Sequence, residues 1–390
     1  MARLIVTAGY SMVMPFLAMY LAVDRVPRVP VVVVGAIWFV AGAMGALSQW
    51  IAGEIGDRIG RRPLMLGAMW LRAANLAAMG FAIAHHAPLP LIALLVVANA
   101  VLRGFFDPVA AALVADLTPA QLRTAAYSLQ RVGINIGWAA GLLAPSIAAG
   151  SSYATLFYAS VPLTVIAAVA LSRMREPPAV TKRPSFTLAE LLAFARDRHL
   201  LGFLAATMAF YVLQVQLYQT LSIYAARVLG VGRPEMGTVY ALNGVMVALL
   251  QLPAVSAIER LGSSGAIVAG SLGYALSYAA VGLVHGQLGL CACVAAVTLA
   301  EIVTAPAQQA TVTHLAPVGR VGAYMGLFGL AQVVGQSTGP LIGTTLLAVL
   351  PPRGAWFALA FFGVAAALGY RKLVFPPQTP RKPLASEPQA

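Results

Sequence analysis

Twelve apolar stretches, each long enough to cross a lipid bilayer as a helix (~20 residues), follow one another almost without pause along the chain. They run over 4–23, 31–52, 64–84, 88–115, 124–148, 153–172, 200–226, 236–257, 265–285, 287–312, 321–349 and 353–371. No single soluble core hides that much apolar surface. Inside lipid, every backbone N–H and C=O must find a partner within the protein, which leaves helices or closed barrels. A barrel would show shorter, alternating segments. These runs are continuous and rich in Ala, Leu, Val and Gly. The expected fold class is therefore an all-α membrane protein with about 12 transmembrane helices. Only 9% of residues are charged, against roughly 25% in soluble domains.

The net charge of +13 would in a soluble chain point to nucleic acid. Here its distribution points to topology. With the loops labelled alternately, seventeen Lys and Arg fall on the side that holds both termini and five on the other. This is the positive-inside bias, so both termini are expected in the cytoplasm and no nucleic-acid partner is expected. Arginine far outnumbers lysine, the bias of a GC-rich bacterial genome, and the expected location is a bacterial inner membrane. Cys291 and Cys293 sit two apart in one apolar run, badly placed to bond each other, and read as small buried hydrophobes.

The longest polar interruption, 173–199, divides the chain almost in half. It opens as a Pro-rich linker, and Thr187 with Glu190 forms a capping box for a short amphipathic helix. The expected organisation is 1–172 as one six-helix bundle, 173–199 as cytoplasmic linker, 200–374 as a second bundle and 375–390 as a disordered tail. The halves repeat each other. Pro108, Pro119, Arg123 and Tyr127 align with Pro306, Pro317, Arg320 and Tyr324; Gly137 and Gly141 align with Gly335 and Gly339. Gln49, Asp57, Arg58 and Gly60 align with Gln251, Glu259, Arg260 and Gly262. Two pseudo-symmetric six-helix halves are a transporter architecture.

Between the second and third runs stands "GEIGDRIGRR", 53–62. Glycines allow a tight turn, and arginines hold it against anionic headgroups. The pattern Gly53, Asp57, Arg58, Gly60, Arg61, Arg62 resembles the signature loop of the major facilitator superfamily. Within it, the chain resembles the drug/proton antiporters through the arginine of the fourth span, "GINIGWAAG" (133–141) in the fifth and "GQSTGPLIG" (335–343) in the eleventh. Trp138 follows the second glycine where that group has proline. The resemblance implies the major facilitator fold, a monomer, and a loop that latches the outward-open state through Asp57.

Charges within spans are costly and usually functional. Arg103 and Asp107 lie four apart on one face of the fourth span. The repeat equivalent of Arg103 is Glu301, so both are expected at a central cavity. Glu301 shares a face with Thr298, Thr304 and Gln308, and no basic residue lies within a turn of it in sequence. It ranks ahead of Asp107 as the proton-coupling carboxylate, since Arg103 favours a static pair with Asp107. Arg72 has no evident role. In the fifth span Arg131, Asn135 and Trp138 occupy one side and Gly133, Gly137 and Gly141 the other; the glycine side is expected to pack and the polar side to face the cavity. Tyr10 and Met14, the stripe Tyr211, Gln214 and Tyr218, and Tyr240 with Asn243 complete the expected lining.

The five histidines form no cluster of metal-site spacing. There is no phosphate-binding GxxxxGK[ST] loop, no nucleophile elbow and no HExxH motif. An enzyme and an ATP-driven pump are therefore not expected. The expectation is a secondary transporter with no cofactor, driven by the proton gradient, exporting small amphipathic compounds by alternating access. Two alternatives stand beside it: a symporter or uniporter of a small metabolite such as a sugar, amino acid or peptide, and a lipid-handling or non-transporting membrane protein.

Overall fold

The structure, a computed structural model, describes residues 2–118, 122–147, 151–173, 197–251, 253–316 and 321–374. The linker helix expected around Thr187 and the tail from Phe375 lie outside the described residues. Each of the twelve apolar runs is helical. The first half comprises α1 (Ala2–Ser11, Met14–Met19 and a wide last turn Tyr20–Asp24), α2 (Val31–Ile59), α3 (Arg61–Ala84), α4 (Leu89–Leu117), α5 (Arg123–Ile147) and α6 (Tyr153–Ser172). The second comprises α7 (Arg198–Gln214, Val215–Leu217, Thr220–Tyr224, Ala225–Leu229), α8 (Arg233–Leu250), α9 (Ala254–Val281), α10 (Gly286–Leu315), α11 (Val321–Val349) and α12 (Pro352–Gly369). Nine spans among the described residues are long and apolar enough to cross a membrane.

Two runs that read as continuous helices are interrupted. α1 breaks at Met12 and Val13, just before Pro15, which has no N–H to continue the ladder. Ser11 Oγ donates to the carbonyl of Gly137 at 3.2 Å. α7 breaks between Gln214 and Thr220, where Gln216 Nε2 donates to the carbonyls of Val212 (2.6 Å) and Gly339 (2.9 Å). Both breaks are thus tied to a carbonyl on a glycine-bearing neighbour.

The signature loop is shorter than the sequence implies. α2 and α3 run into it from both sides and meet at Gly60, whose φ of 95° only glycine adopts readily. Its repeat partner Gly262 has φ 66°. The segment 254–261 therefore continues α8 beyond a break at Pro253, and Gly262 makes the turn into the ninth span.

In the first half α1 packs on α5, α2 on α4 and α3 on α6. In the second, α7 packs on α11, α8 on α10 and α9 on α12. The halves meet along α2–α11 and α5–α8. Small residues set these contacts. A Cβ on Gly137 would clash with the carbonyl of Leu4, and one on Gly335 would sit 2.6 Å from that of Met208, so the glycine faces of α5 and α11 do pack. At the end of the molecule opposite the α2–α3 turn the halves are also joined by hydrogen bonds. Arg227 donates to the carbonyl of Ala22, and Arg233 to that of Ser151.

The apolar core is divided unevenly. The second half holds one continuous cluster, from Leu200 through Tyr274 to Tyr370. The first half holds two, one around Leu17 and Leu76, the other around Met69 and Phe106. Between those two lies a polar layer.

Candidate functional site

The polar layer is built where α1, α3 and α4 converge. Asp107 accepts an ion pair on each carboxylate oxygen, from Arg3 Nη1 at 2.8 Å and from Arg103 Nε at 2.9 Å. The second pair follows from four-residue spacing on one helix. The first joins residues 104 apart, and periodicity gives no signal for it. Arg72, which had no role in the sequence, is buried and donates to Asn99 Oδ1 at 3.3 Å. Tyr10 lies between the two deeper cations, its ring 4.6 Å from the Arg103 guanidinium and 5.6 Å from that of Arg72. The layer is held because each charge has a partner; an isolated charge there would not be.

From Tyr10 a ladder of rings crosses to the other half. Tyr10 meets Trp138 edge-on at 5.9 Å, and Trp138 meets Tyr218 at 5.1 Å. Tyr218 Oη donates to Asn243 Oδ1 at 3.2 Å. Asn243 Nδ2 in turn donates to Glu301 Oε2 at 3.2 Å and Thr298 Oγ1 at 2.9 Å. A single connected path thus runs from Asp107 through Arg103, Tyr10, Trp138, Tyr218 and Asn243 to Glu301.

A cavity of about 210 Å³ opens between the halves. Tyr10, Trp38, Gln49, Asn99, Arg103 and Asp107 line it from the first half, and Gln219, Gln336 and Ser337 from the second. A smaller one of about 50 Å³ adjoins it at Arg3, Arg72, Arg103, Asp107, Tyr10 and Trp138. Trp38 and Gln219 gave no signal in the sequence, because an aromatic or amide in an apolar run reads as packing.

Other expected lining residues lie elsewhere. Met14 and Tyr240 are buried, in the first-half core and against Phe16 respectively. Gln308 is buried and donates to Tyr370 Oη at 2.8 Å, inside the second bundle. These three line neither cavity: Met14 follows the break in α1, which shifts the face a straight helix would present, while Tyr240 and Gln308 are taken up by their contacts with Phe16 and Tyr370. Tyr211 accepts from Gln332, an α7–α11 tie within one bundle. Gln214 and Asn135 are half-buried. The side chains of Arg131 and, in the expected latch, Asp57 lie outside what the structure describes, as do the surroundings of Gly53. Arg62 donates to the carbonyl of Ser172, tying α3 to the end of α6. Arg58 and Arg61 flank Gly60 at the turn, both engaged with neighbours.

The sequence profile of the Major Facilitator Superfamily matches residues 1–244 and again 217–390. The chain belongs to this superfamily. Multidrug resistance protein MdtH of Escherichia coli O157:H7 (strain EC4115 / EHEC) is 26% identical over 392 residues, 95% of this chain and 92% of that protein. The uncharacterized MFS-type transporter YhjO of Bacillus subtilis (strain 168) is also 26% identical, over 81% of this chain and 78% of its own length. Among solved structures, a D-xylose–proton symporter superposes with a TM-score of 0.77 at 16% identity, covering 96% of each chain. As a major facilitator superfamily member, the protein is a multi-pass membrane transporter and not an enzyme.

Proposed function

We propose that the protein is a proton-coupled exporter of small amphipathic compounds, a monomer whose basic end and termini face the cytoplasm. The observation that carries this reading is the placement of Glu301. It is a carboxylate at membrane depth, half-buried, held by the amide of Asn243. Through that amide it is linked to the ring ladder between the bundles. A proton on Glu301 removes a charge that is costly in a low-dielectric setting. It also turns an acceptor into a partial donor at the end of the ladder. Protonation and cargo binding then act on one connected set of contacts, and coupling is the difference in their affinities for the two states. The kinship with MdtH, named for multidrug resistance, supports a cargo class of drug-like molecules.

The test uses purified protein in liposomes with an imposed pH gradient and a panel of anionic, neutral and cationic fluorescent amphiphiles. Gradient-driven movement of at least one probe is expected in the wild type. In Glu301→Gln the gradient should no longer drive it, while probe exchange without a gradient persists. If Glu301→Gln follows the gradient as the wild type does, Glu301 is not the coupling group. If no probe moves in the wild type under either gradient direction, the exporter reading gives way to a metabolite symporter or uniporter.

A further inference from the structure

The charge balance of the cavity deepens that reading, on which this inference rests. Among the described residues lining the two adjoining cavities, three are cations, Arg3, Arg72 and Arg103, and one is an anion, Asp107. Asp107 is ion-paired with Arg3 through one oxygen and with Arg103 through the other, and one carboxylate balances only one of the three guanidinium charges. Arg72 is met by a neutral amide, Asn99, and a ring face, Tyr10. The site therefore carries an excess of positive charge in a setting where field lines are poorly screened. Arg103 keeps 44% of its side chain exposed and lines both cavities. A guanidinium fork matches the two oxygens of a carboxylate, phosphonate or sulfonate.

A second, independent feature points the same way. Trp38 lines the larger cavity, and its indole N–H, turned into the wall, is buried with no hydrogen-bond partner among the described residues. Indole is a donor only, so it calls for an acceptor from the cargo. The rest of the wall suits an apolar body: Tyr10 and Trp138 present rings, while Ala41, Val96 and Val333 present aliphatic surface.

We infer that the cargo is an amphiphile bearing an acidic group, which docks on Arg103 and the Trp38 indole with its apolar body against Tyr10 and Trp138. A lipophilic cation is the disfavoured class at this site.

The experiment is equilibrium binding to the purified full-length protein in detergent, with three probes that share a ring and differ in headgroup. These are naphthylacetate, naphthylethanol and naphthylethyl-trimethylammonium. Naphthylacetate is expected to bind at least tenfold more tightly than the ammonium probe, with the alcohol between. Arg103→Gln is expected to abolish the preference. Because Arg103 also holds Asp107, Trp38→Phe is the second variant: it keeps the wall apolar and should weaken naphthylacetate severalfold with no effect on the ammonium probe. Equal or tighter binding of the ammonium probe overturns the inference, as does an anion preference that survives both substitutions. Binding of naphthylacetate without gradient-driven transport would leave this inference standing and remove the exporter reading. Transport of cationic probes alone, with no anion binding, would do the reverse.

Discussion

The two bundles share a fold and a repeat, yet their interiors are built on opposite principles. In the first, a layer of charges splits the apolar core in two, and its members hold one another: two arginines grip Asp107, and a third stands on an amide and a ring. In the second, the core is continuous, and Glu301 stands at its edge on Asn243. The positions of Arg103 and Glu301 are related by the repeat, so divergence has placed a fixed cation in one half and an ionisable group in the other. Packing tolerates this because helix-to-helix contact is set elsewhere, by the glycine faces of α5 and α11. Gly137 and Gly141 recur there as Gly335 and Gly339, while Gly133 is replaced by Ala331 and the polar positions changed.

The contrast can be broken most directly by neutralising each carboxylate. Asp107→Asn leaves Arg3 and Arg103 without a counter-charge. Removing one partner of a fully enclosed pair costs about 3–5 kcal/mol; since 27% of the Asp107 side chain is exposed, about 2–3 kcal/mol is expected. Glu301→Gln keeps a hydrogen bond to Asn243 and should cost no more than about 1 kcal/mol. Thermal or denaturant unfolding of the two variants in one detergent measures the difference. Equal losses would mean that the two interiors are not built differently after all.

Much of this was legible in the sequence. Twelve apolar runs specified twelve helices because lipid permits little else, and two of them, Tyr153–Ser172 and Val321–Val349, end where hydropathy alone ends them. The pair Arg103–Asp107 follows from helical spacing, and the glycine face of α5 from its period. What was not legible depends on tertiary proximity. Arg3 reaches Asp107 across 104 residues, and Trp38 reads as one more aromatic in a run of valines. Met14 stands apart from the cavities because α1 breaks just before it, whereas Tyr240 and Gln308 are turned to tertiary partners, Phe16 and Tyr370, that helical periodicity does not reveal.

The glycine faces give the next test. An added methyl on Gly137 would strike the Leu4 carbonyl, and one on Gly335 would lie 2.6 Å from the Met208 carbonyl and 2.8 Å from Tyr211 Cβ. Neither backbone can yield cheaply, so Gly137→Ala and Gly335→Ala are each expected to cost about 1–3 kcal/mol. Gly329, beside which a Cβ meets nothing within 4 Å, is the control: Gly329→Ala should gain about 0.5–1 kcal/mol from helix propensity alone. Similar losses at the two packed positions would sharpen the view that scaffold symmetry was retained while the site diverged. A loss in only one bundle would place the constraint in that bundle and not in the shared fold.

The smallest expected effect lies where the bundles begin. α1 has no acidic residue in its first turn, whereas α7 is capped by Asp197. Oδ1 of Asp197 accepts the N–H groups of His199 and Leu200, both at 3.0 Å, and Oδ2 accepts the Tyr324 hydroxyl at 2.8 Å. Burial pushes the Asp197 carboxyl up, but the Leu200 N–H, the Tyr324 hydroxyl and the His199 N–H together outweigh it and hold it below its ordinary 3.8. A carboxylate whose folded pKa is depressed contributes stability above its unfolded pKa and loses it as pH falls through the folded one. Asp197→Ala is thus expected to cost about 1 kcal/mol near pH 7. That gap should stay level down to about pH 4 and narrow below it. Asp197→Asn, which keeps a capping acceptor, should lose less at neutral pH and show no narrowing. Unfolding midpoints of the three proteins across this range decide the matter. A gap between wild type and Asp197→Ala that is unchanged in acid would assign the cap's worth to shape and hydrogen bonding alone, and the ionised cap would then cease to distinguish the start of the second bundle from the start of the first.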